Sequence, residues 1–251
     1  MFGYGYGFGK QRGGGSALLP EKIAGTLAYW DAKRSPVTHS SGSFVSQWND
    51  LSANNNHATQ PEASKQLTKV NDRLITGTAT NMIVPEVKPR TIIVLCRNTG
   101  GASVLTAILS SNNALATCPV IKTRSNSGAG VGNFGLLCTP SFGVGQNPKS
   151  LGSAQATAPA DDTDHIASFL YTASPNSRIR LNEQNVELVA NRTGSSDEMI
   201  IDRLFDSTNV GSHAYRFQGQ VMAIYLNSNI LDIATVEKIE TYLLKLHGVS
   251  I

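Results

Sequence analysis

Phe217-Gln218-Gly219-Gln220-Val221-Met222-Ala223-Ile224-Tyr225-Leu226 is a ten-residue run dominated by apolar side chains from Val221 onward. A run of that kind reads as a β-strand. The residues after it support the reading. Asp232 can cap a helix whose apolar stripe falls at Val236, Ile239, Leu243 and Leu246, and Gly248 stands just past its end. Upstream, shorter β-type runs recur between clusters of Asn, Ser, Gly and Pro. They are Leu27–Trp30, Phe44–Trp48, Arg73–Thr76, Thr91–Cys96, Ser103–Leu109, Phe134–Cys138, His165–Tyr171, Arg178–Leu181 and Val186–Val189. Many short strands, and one helix only at the end, predict an all-β antiparallel sandwich with a short C-terminal helix lying on it. The segment Arg178–Asn182, a polar turn at Glu183, Gln184 and Asn185, and Val186–Val189 read as a hairpin.

The chain has 251 residues, of which 40% are hydrophobic and 16% charged, with 23 glycines; this is enough to build a sizeable core and excludes a charged disordered tail or a coiled coil. Net charge is +3, and Lys10 and Arg12 supply two of those positives within twenty residues that hold no acid, so the remainder carries +1. That balance argues against a nucleic-acid partner. Apolar runs are far shorter than a membrane span, and the start MFGYGYGFGKQRGGG lacks the charge-then-apolar order of a secretory signal. No membrane partner is therefore expected. Cys96, Cys118 and Cys138, odd in number and widely spaced, suit buried thiols in a reducing compartment better than disulfides or zinc.

Residues 1–23 read as an arm and linker, and 24–251 as the sandwich with its helix. Phe2, Tyr4, Tyr6 and Phe8 alternate with glycines before Lys10 and Arg12. In an extended chain the four rings share one face and bare backbone the other, a form suited to docking on a partner protein, with the two cations at the rim. The other reading of the same residues is a flexible Gly-rich end.

Leu27-Ala28-Tyr29-Trp30-Asp31-Ala32, followed by Val45-Ser46-Gln47-Trp48-Asn49-Asp50-Leu51-Ser52-Ala53-Asn54-Asn55-Asn56-His57-Ala58-Thr59-Gln60, resembles the opening of concanavalin A-like, laminin-G-type jelly-roll domains. Asp164-His165-Ile166-Ala167, Arg178–Asn182 and the closing Phe217–Tyr225 run with its helix are similar to later elements of that family. The resemblance implies a jelly-roll sandwich over residues 24 to 248, a fold that carries lectins, glycosidases and structural modules alike. The Gly-aromatic start resembles the N-terminal arms of tailed-phage virion proteins. It implies a head-fibre, capsid-decoration or tail component, assembled in the bacterial host cytoplasm, whose arm docks on other virion proteins and which can self-associate. The alternative is a carbohydrate-binding adhesion module for a host surface glycan.

Candidate chemistry is sparse. Asp50, Ser52, Asn54 and Asn56 alternate like the oxygen ligands of a calcium loop, and calcium-assisted sugar binding occurs in the resembled family; a hydrogen-bonded Asx-turn network is the other reading. No other cofactor is expected. No Glu-x-Asp-x-x-Glu spacing is present, and Asp197, Glu198, Asp202 and Asp206 alternate with apolar residues as an exposed strand or loop edge would. The expectation is therefore that the chain is not an enzyme. Gly130-x-Gly132-x-x-Gly135 opens no helix, and Pro148 interrupts the P-loop-like stretch 143–150, so neither predicts a phosphate site. The five histidines are scattered, and Trp30 and Trp48 read as core.

Overall fold

The computed structural model describes residues 18–77, 79–99, 108–110, 118–124, 133–139, 162–171, 178–186, 200–207 and 215–251. The first strands are β1 (Thr26–Asp31), β2 (Val37–Ser41), β3 (Phe44–Trp48), β4 (Ala58–Thr59), β5 (Leu67–Val70) and β6 (Arg73–Thr76). Then come β7 (Met82–Val87), β8 (Thr91–Asn98), β9 (Leu109–Ser110), β10 (Cys118–Arg124), β11 (Asn133–Thr139) and β12 (Asp164–Leu170). The last are β13 (Arg178–Leu181), β14 (Gln184–Val186), β15 (Ile201–Leu204), β16 (Asp206–Ser207), β17 (Tyr215–Arg216) and β18 (Gly219–Asn227), followed by helix α1 (Ile233–His247).

One antiparallel sheet runs β14-β13-β12-β8-β18-β6-β5-β3-β4-β7-β15-β9, with β1 also on β18 and β2 also on β3. β18 organises it. One edge pairs with β8 along its length; the other is shared, residues 219–221 with β6 and residues 223–227 with β1. The sheet curls so that both halves face one core: Trp30, Val94, Phe169 and Ile224 from the β18 side meet Trp48, Met82, Val84 and Leu204 from the β7 side. This is the antiparallel all-β sandwich expected. Trp30 and Trp48 are fully buried with ring centroids 6.4 Å apart, and their Nε1–H groups have no acceptor among the described residues.

A second core lies on the outer face. Tyr29, Ile93, Leu95, Ile166, Ala223 and Tyr225 pack against Val236, Ile239, Leu243 and Leu244 of α1. The helix starts where Asp232 accepts from Thr235 N and stops at Gly248, whose φ of 64° any side chain would strain. Beneath it, Arg180 of β13 donates to both Glu240 carboxylate oxygens at 3.1 to 3.2 Å, and Ser168 Oγ donates to Oε1 at 2.6 Å. Both ions are essentially excluded from water. No described helix is long and apolar enough to cross a membrane.

Two local expectations shift. The β13–β14 hairpin forms, but Leu181 pairs with Gln184, so its turn is Asn182-Glu183 rather than residues 183–185. Both residues take positive φ, 50° and 61°, the geometry of the two-residue hairpin turn that glycine usually supplies. Residues 18–23, placed in the linker, are already folded. Pro20–Lys22 form a 3-10 turn, and Leu18 and Ile23 pack against the second core. The aromatic arm itself, with Phe2, Tyr4, Tyr6, Phe8, Lys10 and Arg12, lies outside the described residues, as do Asp197 and Glu198.

Removing one member of the buried ion pair strands the other charge, which typically costs about 3 kcal/mol or more. Glu240→Ala is therefore expected to lower unfolding free energy by about that amount in urea titrations, while Lys238→Ala, on the exposed face of α1, should change it by no more than about 0.5 kcal/mol. Equal effects would mean that α1 is not anchored through Arg180.

Candidate functional site

Beside the Arg180–Glu240 pair, four further polar clusters stand out among the described residues, and they differ in how far their hydrogen bonds are used up inside the protein. The loop after β3 is the first. Asp50 Oδ1 accepts from Tyr29 N and Ser52 N at 2.8 Å, and Oδ2 accepts from Ser52 Oγ at 2.5 Å and Asn56 N at 2.9 Å. Asn54 and Asn56 donate their amides to the Leu27 carbonyl. Asn55, at φ 58°, takes a left-handed position in the turn, one that asparagine tolerates. Asp50, Ser52, Asn54 and Asn56 are thus brought together, but as an Asx-turn network that ties the loop to β1. A calcium ion would have to displace those donors.

The second cluster knots the two ends of the fold. Asp31 Oδ1 accepts from Lys33 N and Arg34 N, while Oδ2 accepts from Tyr29 OH at 2.6 Å and lies 3.3 Å from His247 Nε2. Arg34 pairs with both Glu21 oxygens and donates to Tyr242 OH. Burial would raise the Asp31 carboxyl, but the hydrogen bonds from His247 and Tyr29 outweigh it and hold it below the ordinary aspartate value.

The third is Cys96 and His165, inward-facing partners on β8 and β12. Sγ lies 3.2 Å from Nε2, and Nδ1 faces the Thr163 carbonyl at 3.4 Å. A carbonyl only accepts, so the ring proton sits on Nδ1 and Nε2 takes the thiol hydrogen. Burial lowers His165 to about 4 and raises the thiol, so both are neutral at pH 7. A neutral thiol sealed in a core is a packing element rather than a nucleophile.

The fourth reaches the surface. Asp164 of β12, Arg97 of β8 and Gln220 of β18 are register partners in one row. They lie on the outer face, two residues along from Ile166 and Leu95 and past the end of the helix-covered core. A bulge at Val221/Ala223 puts Met222 and Ala223 both outward, which keeps Gln220 on the outer side while Val221 and Ile224 face inward. Arg73 of β6 reaches into the row, its Nη1 and Nη2 donating to Asp164 Oδ1 and Oδ2 at 2.8 Å and Nη1 also to Gln220 Oε1 at 2.9 Å. Arg97 Nε donates to Asp164 Oδ1 at 2.7 Å. Burial acts to raise the Asp164 carboxyl, and the two guanidiniums outweigh it and hold it well below the ordinary value. Gly219 makes the row possible: a Cβ there would stand 2.1 Å from the Arg97 carbonyl.

Both arginine side chains stay about a quarter to a third exposed, and Asp164 13%. Sequence reasoning named none of these four as a site. Each is a polar residue at or next to the end of an apolar run, and only strand pairing across 67 to 147 positions joins them. Among the described residues no group of three His, Cys, Asp or Glu side chains could hold a metal ion.

No family model and no curated protein matches the chain. Solved structures do. Trypanosoma rangeli sialidase in complex with sialic acid matches at TM-score 0.56 and 11% identity, over 91% of this chain and 34% of that one. A GH54 α-L-arabinofuranosidase soaked with 4-nitrophenyl α-L-arabinofuranoside matches at 0.56 and 11%, over 80% and 50%. Domain 4 of a GH43 extracellular arabinanase from Geobacillus stearothermophilus, in complex with arabinotriose, matches at 0.52 and 9%, over 85% of this chain and 97% of that domain. The chain therefore spans about a third of the sialidase and half of the arabinofuranosidase. At these identities the likeness establishes a shared β-sandwich fold.

The expectation that the chain is not an enzyme is corrected by these matches. The fold recurs in proteins described as sialidase, arabinanase and arabinofuranosidase, so a missing Glu-x-Asp-x-x-Glu spacing no longer excludes glycosidase chemistry. The virion placement draws no support from them, and the arm on which it stood lies outside the described residues.

The buried clusters set the acid stability. Asp31, Glu21 and Asp164 all titrate below the ordinary carboxylate value when folded, so each stabilises the fold above that value and loses its contribution as pH falls through the folded one. His165, lowered from 6.5 to about 4, acts in the same direction between those values, because the unfolded chain takes up the proton first. The melting temperature is expected to be flat above about pH 7, to decline gently below it, and to fall steeply below about pH 4. Asp31→Asn should flatten the steep part; an unchanged acid limb in that variant would count against the knot.

Proposed function

We propose that this chain is a glycan-binding β-sandwich module whose ligand lies on the Asp164–Arg97–Gln220–Arg73 row. The observation that carries the reading is the match to a domain solved with arabinotriose, which this chain covers over 97% of that domain's length. A match on that scale concerns a whole module rather than a shared fragment. The local chemistry agrees. Sugar recognition needs planar, fixed hydrogen-bonding groups at a solvent-facing surface. The row combines charged side chains held in place by their neighbours with groups open to water. Its side chains stand on four paired strands, and sites on strands hold their geometry better than sites on loops.

A glycan array probed with the purified chain tests the proposal. Binding of at least one oligosaccharide class is expected, weakened by Gly219→Val, which drives a side chain into the Arg97 backbone, at retained secondary structure. Absence of binding to every glycan, with the protein folded, would overturn the reading. Reducing-sugar release from a bound glycan would add catalysis to it.

A further inference from the structure

We infer that the row recognises a carboxylate-bearing sugar, so that the glycan proposed above is an acidic one; this rests on the module reading and narrows it. The hydrogen-bonding groups left unspent in the row decide which ligand suits it. Asp164, at the β12 end of the row, is its shared acceptor, and its oxygens already take three N–H groups, Arg73 Nη1 and Arg97 Nε on Oδ1 and Arg73 Nη2 on Oδ2. Gln220 Oε1 is taken by Arg73. Asp164 Oδ2 and Gln220 Oε1 each keep a lone pair, but the nitrogens left with no partner are donors. Both terminal nitrogens of Arg97 have no partner among the described residues, and the Gln220 amide nitrogen is likewise open.

Arg97 is therefore held through Nε, which leaves its two terminal nitrogens for a ligand. Held in that way, a guanidinium accepts a carboxylate through two parallel bonds with little further loss of side-chain freedom. Two arginines against one shared carboxylate leave a single positive charge within the row. Asp162, exposed, is an opposing charge outside it that acts on Arg97. A neutral sugar would satisfy some donors but leave that charge unmatched. A uronate or sialate carboxylate satisfies both, with ring hydroxyls left for the Gln220 amide.

The test uses the full chain against an array that carries neutral arabino- and galacto-oligosaccharides beside glucuronate-, galacturonate- and sialate-terminated ones, followed by calorimetry on the best binder. Acidic glycans are expected to bind and neutral ones to bind at least about tenfold more weakly, as a charge-assisted pair would give. Arg97→Gln, which leaves Arg73 on Asp164, should lose about tenfold or more for the acidic ligand while keeping the wild-type melting temperature within a few degrees. Asp162→Asn should tighten binding about twofold to threefold at low salt, and raising NaCl from about 50 to 300 mM should weaken it. The uronate and sialate arms identify which carboxylate geometry fits. Neutral glycans bound as well as acidic ones, or Arg97→Gln and Asp162→Asn both without effect, would overturn the inference and leave the module reading standing. No glycan bound at all would remove both.

Discussion

From Val221 onward β18 is buried on both faces, and the rest of the structure depends on that constraint. Val221, Ile224 and Leu226 face the sandwich core while Met222, Ala223 and Tyr225 face the helix. A strand with no wet face needs a layer on each side, so the curled sheet and α1 are both consequences of this one run. Burying a large aliphatic or aromatic side chain contributes about 1.5 to 3 kcal/mol, and β18 does so in two cores at once. Its pairing is equally demanding: β8 takes one edge, and β1 and β6 divide the other. The chain's first and last strands thus meet side by side, and the Asp31–His247 contact closes the join.

The fold was legible because its signals are local. Alternation and apolar runs mark the strands, and Asp232, the Val236–Ile239–Leu243 stripe and Gly248 mark the helix from cap to stop. Trp30, Trp48, Phe169, Leu181, Val221, Ile224 and Leu243 are all buried, as apolar faces require. Where local rules bent, the cause is specific. Asn182 and Glu183 occupy left-handed positions without glycine, and the turn moved by a residue from its expected place. β10, residues Cys118–Arg124, carries Pro119 and Lys122 and does not look like a strand until it pairs with β11.

The site was not legible in the same way. Arg73, Arg97, Asp164 and Gln220 become neighbours only through register, and one bulge decides on which face Gln220 stands. The motif that sequence does display, Asp50 to Asn56, turns out to spend the Asp50 oxygens on N–H and O–H groups of its own loop and β1, and the Asn54 and Asn56 amides on backbone carbonyls. Buried polar groups must find partners inside the protein, so the densest polar motifs of a β-sandwich are its fasteners. Recognition is left to groups that stay partly wet and partly unmatched, and in the proposed glycan site these are the terminal nitrogens of Arg97 and the Gln220 amide.

The most direct test of this account is side-chain NMR of the chain during titration with the tightest-binding glycan, following the guanidinium resonances of Arg73 and Arg97 and the amide of Gln220. The account predicts that Arg97 and Gln220 shift together and saturably, with the backbone amides of β18 residues 219–221 moving alongside them while those of the Asp50–Asn56 loop stay in place. Saturable shifts confined to that loop, or to the β3–β4–β7 face, with Arg97 and Gln220 unmoved, would contradict it.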